Sequence, residues 1–230
     1  MSQFNFFEKN QAFDEKNFEQ KLQDAIKLIK QNQSFVARLV LDAINSNQVT
    51  LSTFFQLTPN HYQKTKTIMR KDYHTTLPNT FPPTISAVRK IEKELDGIIY
   101  DNQHIYISST KSVEEIAKTL IHEVCHFLNS DLYDKEMETE ESKQVGYKDE
   151  VRAFTAEKMF EKNKGYLLRS DINQIHETVT ELYPKFTDPE NPISGIFTAL
   201  LIALLKGCLH FASLSRKALI FERRSGSTMK

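Results

Sequence analysis

Two histidines and a glutamate stand at a spacing that can bind and use a metal ion: His122, Glu123 and His126. Histidines four residues apart on a helix project in parallel, so both imidazoles can reach one Zn²⁺ at about 2.0–2.1 Å. Glu123 cannot reach the metal in the same way, but it can accept a proton from a zinc-bound water and pass it to a leaving amine. The triplet therefore indicates metal-assisted hydrolysis.

The triplet needs a helix, and the flanking sequence predicts one. Ser112 followed by Glu115 three residues later is a capping-box pattern, which marks the start of a helix. Apolar residues then recur at helical spacing: Val113, Ile116, Ala117, Leu120, Val124, Phe127 and Leu128. At about 100° per residue, the two histidines lie opposite this stripe. We expect the stripe to be buried and the histidines to lie off the core face.

The run from residue 105 to residue 128, a short strand leading into this helix, resembles the zincin metallopeptidases. Within zincins, the metzincins require a glycine and a third histidine soon after the motif, and residues 129–134 contain neither. The gluzincins take their third protein ligand from a glutamate on a following helix. The resemblance therefore implies a gluzincin-like zinc site, although it covers only about a quarter of the chain.

The third ligand is sought downstream, where residues 149–157 look helical and resemble the glutamate-x-x-alanine element of gluzincins. The resemblance implies Glu150 as the ligand, with Asp131, Asp149 and Glu157 as substitutes. Glu157 lies two turns along the same face, roughly 10 Å away, so Glu150 and Glu157 cannot both bind one zinc. The alternative role for Glu150 is a carboxylate that stabilises the helix N-terminus.

Other polar residues receive weaker assignments. Zincins commonly place a Tyr, His or Arg beside the developing oxyanion, and the spacing does not choose among Tyr147, Arg152, Tyr166, Arg169, His176 and Tyr183. Four histidines have no partner at metal-ligand spacing and are interpreted as ordinary side chains: His61, His74, His104 and His210. Cys125 is expected to pack as a small apolar residue.

The hydropathy pattern predicts an α+β fold that is dominated by helices and contains a small sheet, in a single zincin-like domain. Helices are predicted for residues 14–33, 34–45, 84–95 and 171–183. A strand is predicted for residues 50–57 and a hairpin for residues 98–100 and 104–107. Residues 58–83 are poorly patterned, residues 129–148 read as an acidic, solvated loop, and Asp96-Gly97 is expected to end a helix through a left-handed glycine.

The C-terminal segment of residues 193–214 has two interpretations. Its uncharged run of residues 193–205 is shorter than the ~20 residues that cross a bilayer, which favours a buried apolar helix. The basic residues that follow it are also typical of an interfacial anchor on an acidic membrane. Burial is the prediction, with membrane association as the alternative.

Composition limits the partners and the compartment. Thirty basic and thirty acidic residues among 230 give no net charge, which argues against a dedicated nucleic-acid binder. Two cysteines cannot build a disulfide framework, so a reducing compartment is expected. The first ten residues show no conventional export signal.

Together these patterns predict a zinc endopeptidase with one Zn²⁺ per chain, held by His122, His126 and Glu150, with Glu123 as the general base. The expected partner is a protein or peptide substrate. The abundance of Asn, Gln, Lys and Phe resembles metallopeptidase effectors that intracellular bacteria inject into host cells. The expected location is therefore the cytoplasm, or a host cell reached without a conventional signal peptide. The alternative is a non-catalytic metal-binding or membrane-associated interaction protein.

Overall fold

The computed structural model describes residues 3–129 and 140–183. It confirms a helix-dominated α+β fold with a small three-stranded sheet. The described elements are α1 (Gln3–Gln31), α2 (Phe35–Asn45), β1 (Thr50–Thr53), α3 (Pro59–Lys71), α4 (Ile85–Glu94), β2 (Gly97–Tyr100), β3 (His104–Ile107), α5 (Val113–Leu128), α6 (Glu140–Glu161) and α7 (Arg169–Leu182). The predicted segment of residues 193–214 and the candidate ligand Asp131 lie outside the described residues.

The sheet has the strand order β1-β3-β2, with β1 parallel and β2 antiparallel to β3. The predicted hairpin is confirmed, and its turn at Asp101 and Asn102 has positive φ at both residues. Asp and Asn tolerate this left-handed conformation better than most residues, as a type I′ turn requires. Strand β2 is thereby held at one edge of the sheet, with β3 as its partner.

Helix α5 is central to the packing, and it contacts α1, α2, α6 and the sheet. The predicted capping box is confirmed, because the Ser112 hydroxyl accepts from the Glu115 N–H while the Glu115 carboxylate accepts from the Ser112 N–H. The stripe residues Ile116, Leu120 and Val124 are fully buried. The start and the buried stripe of α5 together fix the direction of the opposite face, which carries His122 and His126.

Two apolar clusters fill the interior on opposite faces of the sheet. Ile105 and Ile107 of β3 contribute to the cluster formed with α1, α2, α5, α6 and α7. Tyr106, which points the other way, packs with α3 and α4. Alternate residues of one strand therefore serve both cores, as the two-residue period of a strand requires.

Several predicted boundaries are wrong. Residues 54–56 form a 3₁₀ turn instead of continuing the strand, because Thr53 and Gln56 make a capping box there. Helix α3 lies in the segment described as poorly patterned, and it begins with Thr58 as N-cap and proline as its first residue. Both are helix-start signals, so α3 was readable.

The predicted glycine cap after α4 is also wrong. Leu95 is extended directly after the helix, and within the described residues no glycine has a positive φ. Gly97 is instead the first residue of β2. The predicted loop of residues 129–148 is likewise shorter than expected, since α6 already begins at Glu140.

The described part of the chain contains no helix that is both long and apolar enough to cross a bilayer.

Candidate metal centre

His122 and His126 lie one turn apart on α5 and face a cavity at the edge of the sheet. Their ring centroids are 4.8 Å apart, and the rings meet edge to face. The side chains are only 10% and 16% exposed. Two imidazoles held this close, away from bulk water, are positioned to bind one ligand together.

Helix α6 brings Glu150 to the same point. Its Oε2 lies 3.5 Å from His122 Nε2 and 3.9 Å from His126 Nε2, distances too long for good hydrogen bonds. This oxygen is buried and has no hydrogen-bond partner among the described residues. The ligand atoms of the three residues all lie within 4.8 Å of one another. A cation bound between them would satisfy the isolated oxygen.

The other ring nitrogen of each histidine contacts a second carboxylate. Asp149 Oδ2 lies 2.7 Å from His126 Nδ1, and Glu157 Oε1 lies 3.1 Å from His122 Nδ1. The sequence offered these two residues as substitutes for Glu150, whereas the structure places them on the outer side of the imidazoles. Metal-binding histidines characteristically donate their outer N–H to a carboxylate, which fixes the tautomer and the ring orientation.

Acidic side chains outnumber the histidines here: Glu123 and Asp149 are buried, and Glu150 and Glu157 are partly buried. Burial by itself lowers the pKa of His122, but Glu150 and Glu157 outweigh it, and the pKa lies well above its ordinary value. The pKa of His126 is raised in the same way, with Asp149 opposing burial. Burial raises the pKa of Glu150, and the two histidines lower it to a net value below the ordinary one. The site therefore favours positive charge.

Glu123 lies beside the two histidines and is 8% exposed. Burial raises the pKa of its carboxyl group, while His122 and His126 oppose the rise. A glutamate with a raised pKa is better matched to taking up and releasing a proton near neutral pH. Its position agrees with the role that the motif predicts.

The close approach of β2 to α5 depends on Gly97, which the sequence analysis assigned to a helix cap. A Cβ at this position would lie 2.5 Å from Thr119 Cγ2 and 3.2 Å from Glu123 Oε1. Only glycine allows the edge strand to pack this tightly against the helix that carries the site. In the sequence, Gly97 is an isolated glycine before an apolar run. This pattern fits a helix cap as well as a strand that packs closely against a helix.

A cavity of about 880 Å³ opens in front of the two histidines. One wall is formed by β2, and a second is formed by residues of α3 that include Lys64, Ile68 and Lys71. Glu123, Glu150 and Tyr183 line the end nearest the histidines. The site is therefore open to a ligand that lies along the edge strand.

Among the six candidate electrophiles, only Tyr183 lines this cavity. It hydrogen-bonds Glu150, and burial followed by the charges of Glu150 and Glu123 raises the pKa of its hydroxyl strongly. Tyr147 is buried elsewhere, with its hydroxyl 2.7 Å from His176 Nδ1. Tyr166 is 60% exposed, and Lys164 Nζ lies over its ring. The sequence spacing does not choose among the six candidates, whereas their positions in the structure favour Tyr183.

Cys125 is partly buried and packs against the larger apolar cluster. Burial raises the pKa of its thiol to about 12, so the reactive thiolate is scarce at neutral pH. This environment agrees with the predicted packing role.

No protein-family model matches the chain, and neither a curated protein nor a solved structure matches it.

Proposed function

We propose that this protein is a zinc-dependent endopeptidase that hydrolyses a peptide bond in a protein substrate. The observation that carries the proposal is the convergence of His122 Nε2, His126 Nε2 and the isolated Glu150 Oε2 on one point. Two imidazole nitrogens and one carboxylate oxygen are the protein ligands of catalytic zinc in several hydrolases. The zincin resemblance of the motif points to the same chemistry.

The donor set fits one zinc ion at this site. Both imidazoles present Nε2 inward because Asp149 and Glu157 occupy the outer nitrogens. The surplus of buried and partly buried carboxylates gives a dication an electrostatic reason to bind. When bound, zinc supplies a Lewis acid that polarises the scissile carbonyl and lowers the pKa of a coordinated water.

Glu123 is proposed as the general base. Its buried carboxylate lines the cavity together with the two histidines. It would accept a proton from the attacking water and deliver it to the leaving amine. Tyr183 is proposed as the donor to the developing oxyanion, because its hydroxyl lies beside Glu150 at the same cavity end.

Strand β2 is proposed to hold the substrate in an extended conformation. One side of β2 pairs with β3, and residues 97–100 also line the cavity. An edge strand can hydrogen-bond an added peptide strand through its backbone, whatever the side chains of that peptide. This mode of binding would place a scissile bond beside Glu123, which packs against Gly97.

We propose the cytoplasm, or the cytosol of a host cell, as the place of action. Cys125 is a free thiol and the chain contains only two cysteines. Such a composition suits a reducing compartment.

The experiment separates metal binding from chemistry. Glu123→Gln keeps the shape of the side chain and removes the proton acceptor, so zinc content measured by mass spectrometry should stay equal to that of the parent. Cleavage of a proteome-derived peptide library should fall by ~10²–10⁴-fold. The matched control is Glu114→Gln, an exposed position on the same helix.

Equal cleavage by parent and Glu123→Gln would refute the general-base assignment. Stoichiometric zinc without any cleavage by the parent would instead favour the metal-binding interaction protein.

A further inference from the structure

A second group of potential metal ligands joins α3 to the β2–β3 turn and consists of His61, Asp101 and His104. One ligand atom from each residue lies within 4.8 Å of the others. The sequence predicts ordinary side chains at both histidines, because 43 positions separate them and no local spacing connects them. We propose that this group is a second divalent-metal site, separate from the catalytic centre.

The first supporting observation is the fixed orientation of His61, which is 3% exposed. Its Nδ1 lies 2.9 Å from the Tyr106 hydroxyl, and its ring stacks on Tyr100 at 4.9 Å between centroids. The Tyr106 hydroxyl oxygen also accepts hydrogen bonds from Thr58, which holds this tyrosine in place beside His61. On the other side of the ring, Nε2 lies 2.6 Å from Asp101 Oδ2, where its N–H donates to the carboxylate and a bound cation would replace that proton.

The second observation is His104, whose Nδ1 is buried and has no hydrogen-bond partner among the described residues. Its ring centroid lies 5.3 Å from that of His61. A buried imidazole nitrogen without a partner costs free energy unless a proton donor or a metal satisfies it. A cation shared with His61 would satisfy it.

Asp101 supplies the charge. Its Oδ2 lies 2.6 Å from His61 Nε2 and its Oδ1 lies 2.6 Å from Lys64 Nζ. Lys64 and His61 each donate a hydrogen bond to this carboxylate, which supplies the negative charge of the group. Its side chain is 44% exposed, which leaves a route for the ion from solvent.

The donor set selects the class of ion. Two imidazoles with one carboxylate suit Zn²⁺, Co²⁺ or Ni²⁺, whereas Ca²⁺ and Mg²⁺ prefer a shell of oxygens. Lys64 and Asp101 both line the catalytic cavity. A metal at this point would brace the cavity wall by tying α3 to the turn that follows the edge strand.

The test titrates the metal-stripped full chain with Zn²⁺ by calorimetry, with stoichiometry measured by native mass spectrometry. Asp101→Asn is the main variant, because asparagine tolerates the positive φ of this turn and removes the anionic ligand. It should lose one equivalent that the parent binds. His74→Asn, at another positive-φ position outside both groups, should bind as the parent does.

His126→Ala distinguishes the two sites, since it should lose a different equivalent from the one that Asp101→Asn loses. Parent and Asp101→Asn binding the same number of zinc ions would overturn the second site and leave the catalytic proposal untouched. Loss of one zinc equivalent in Asp101→Asn, with no loss in His126→Ala, would support the second site and overturn the catalytic zinc site.

The zinc affinity of Lys64→Met distinguishes a metal-binding role of Asp101 from a salt bridge alone. Removing the cation beside Asp101 should tighten the second zinc equivalent roughly tenfold at low salt. A salt bridge without a metal role predicts unchanged zinc binding. Mg²⁺ as the probe should bind neither more nor less in any of these variants.

Discussion

The described residues include two groups of two histidines and one carboxylate, and the surroundings of the two groups differ. Around His122 and His126, the outer ring nitrogens contact carboxylates, and the central Glu150 oxygen has no hydrogen-bond partner among the described residues. Around His61, the outer nitrogen contacts a tyrosine hydroxyl, and the carboxylate is already paired with Lys64. The first group favours a cation even before one binds. The second must release part of an existing ion pair to bind one.

This difference predicts a strong site and a weaker one. Carboxylates on the outer nitrogens raise the basicity of the ligating imidazoles, while a neutral hydroxyl does so less. The first group is also buried, whereas Asp101 is half exposed and shares its charge with Lys64. We therefore expect zinc to fill the site at Glu150 first.

The largest expected effect is the loss of zinc from Glu150→Ala. Removing a direct ligand should weaken zinc binding by more than ~10²-fold, whereas Glu157→Ala removes only the support of His122 and should cost ~10–100-fold. The control is Glu161→Ala, on the same helix but paired with Lys118 outside the site. Affinities are measured by competition with a chelator. Equal retention in Glu150→Ala and Glu157→Ala would move the ligand assignment to another carboxylate.

A tyrosine hydroxyl contacts each group, and removing the two hydroxyls should affect turnover and zinc binding differently. Tyr183→Phe removes the proposed donor to the oxyanion and should reduce turnover by ~10²-fold with zinc content unchanged. Tyr106→Phe removes the partner of His61 Nδ1, so it should loosen the second zinc equivalent and leave turnover near that of the parent. Steady-state cleavage assays on both variants make the comparison. A larger loss of turnover in Tyr106→Phe than in Tyr183→Phe would reverse the roles.

How far the sequence predicts these groups depends on whether their geometry is local. His122, Glu123 and His126 are held by one helix, and the capping box and apolar stripe of that helix are readable without any tertiary contact. Glu150 was chosen through the resemblance to gluzincins, and the structure brings it to the two histidines. The outer roles of Asp149 and Glu157 depend on how α6 packs against α5, which no periodic pattern specifies.

The second group was missed for the same physical reason. His61 lies on α3, while Asp101 and His104 lie at the hairpin, and only the packing of α3 against the sheet brings them together. Gly97 was misassigned because a glycine after a helix usually caps it, whereas here the need for space comes from Thr119 across an interface.

Strand β2 connects the two groups, so Gly97→Ala tests whether they depend on each other. The new Cβ would lie 2.5 Å from Thr119 Cγ2, so strand and helix must separate, at a cost of about 1–3 kcal/mol in the free energy of unfolding. Turnover should fall as well, because Glu123 is the next neighbour. Urea unfolding and zinc titration should show a disturbed first site and an unchanged second equivalent.

Thr119→Ser removes the clashing methyl group and provides the matched rescue. In the double variant, much of the stability lost in Gly97→Ala should return, which a double-mutant cycle measures as a coupling energy. Additive losses would mean that the close approach is not what requires glycine.

The smallest expected effect concerns the acid dependence of the second group without metal. The pKa of Asp101 is lowered to about 2 by Lys64 and His61, so folding favours the ionised form, and the stabilisation is fully present above the ordinary carboxyl pKa of 3.8. It declines as pH falls towards 2. Because Asp101 is 44% exposed, solvent screening limits the effect to below about 1 kcal/mol. In the presence of a chelator, Asp101→Asn should therefore be slightly less stable than the parent at pH 5, and the difference should be roughly halved at pH 3. Urea midpoints at both pH values measure it. If Asp101→Asn is less stable than the parent by the same amount at pH 5 and pH 3, the aspartate supports the turn by its shape and not by its charge. The ion pair between Asp101 and Lys64 would then not compete with zinc, and it would no longer explain why this site is the weaker of the two.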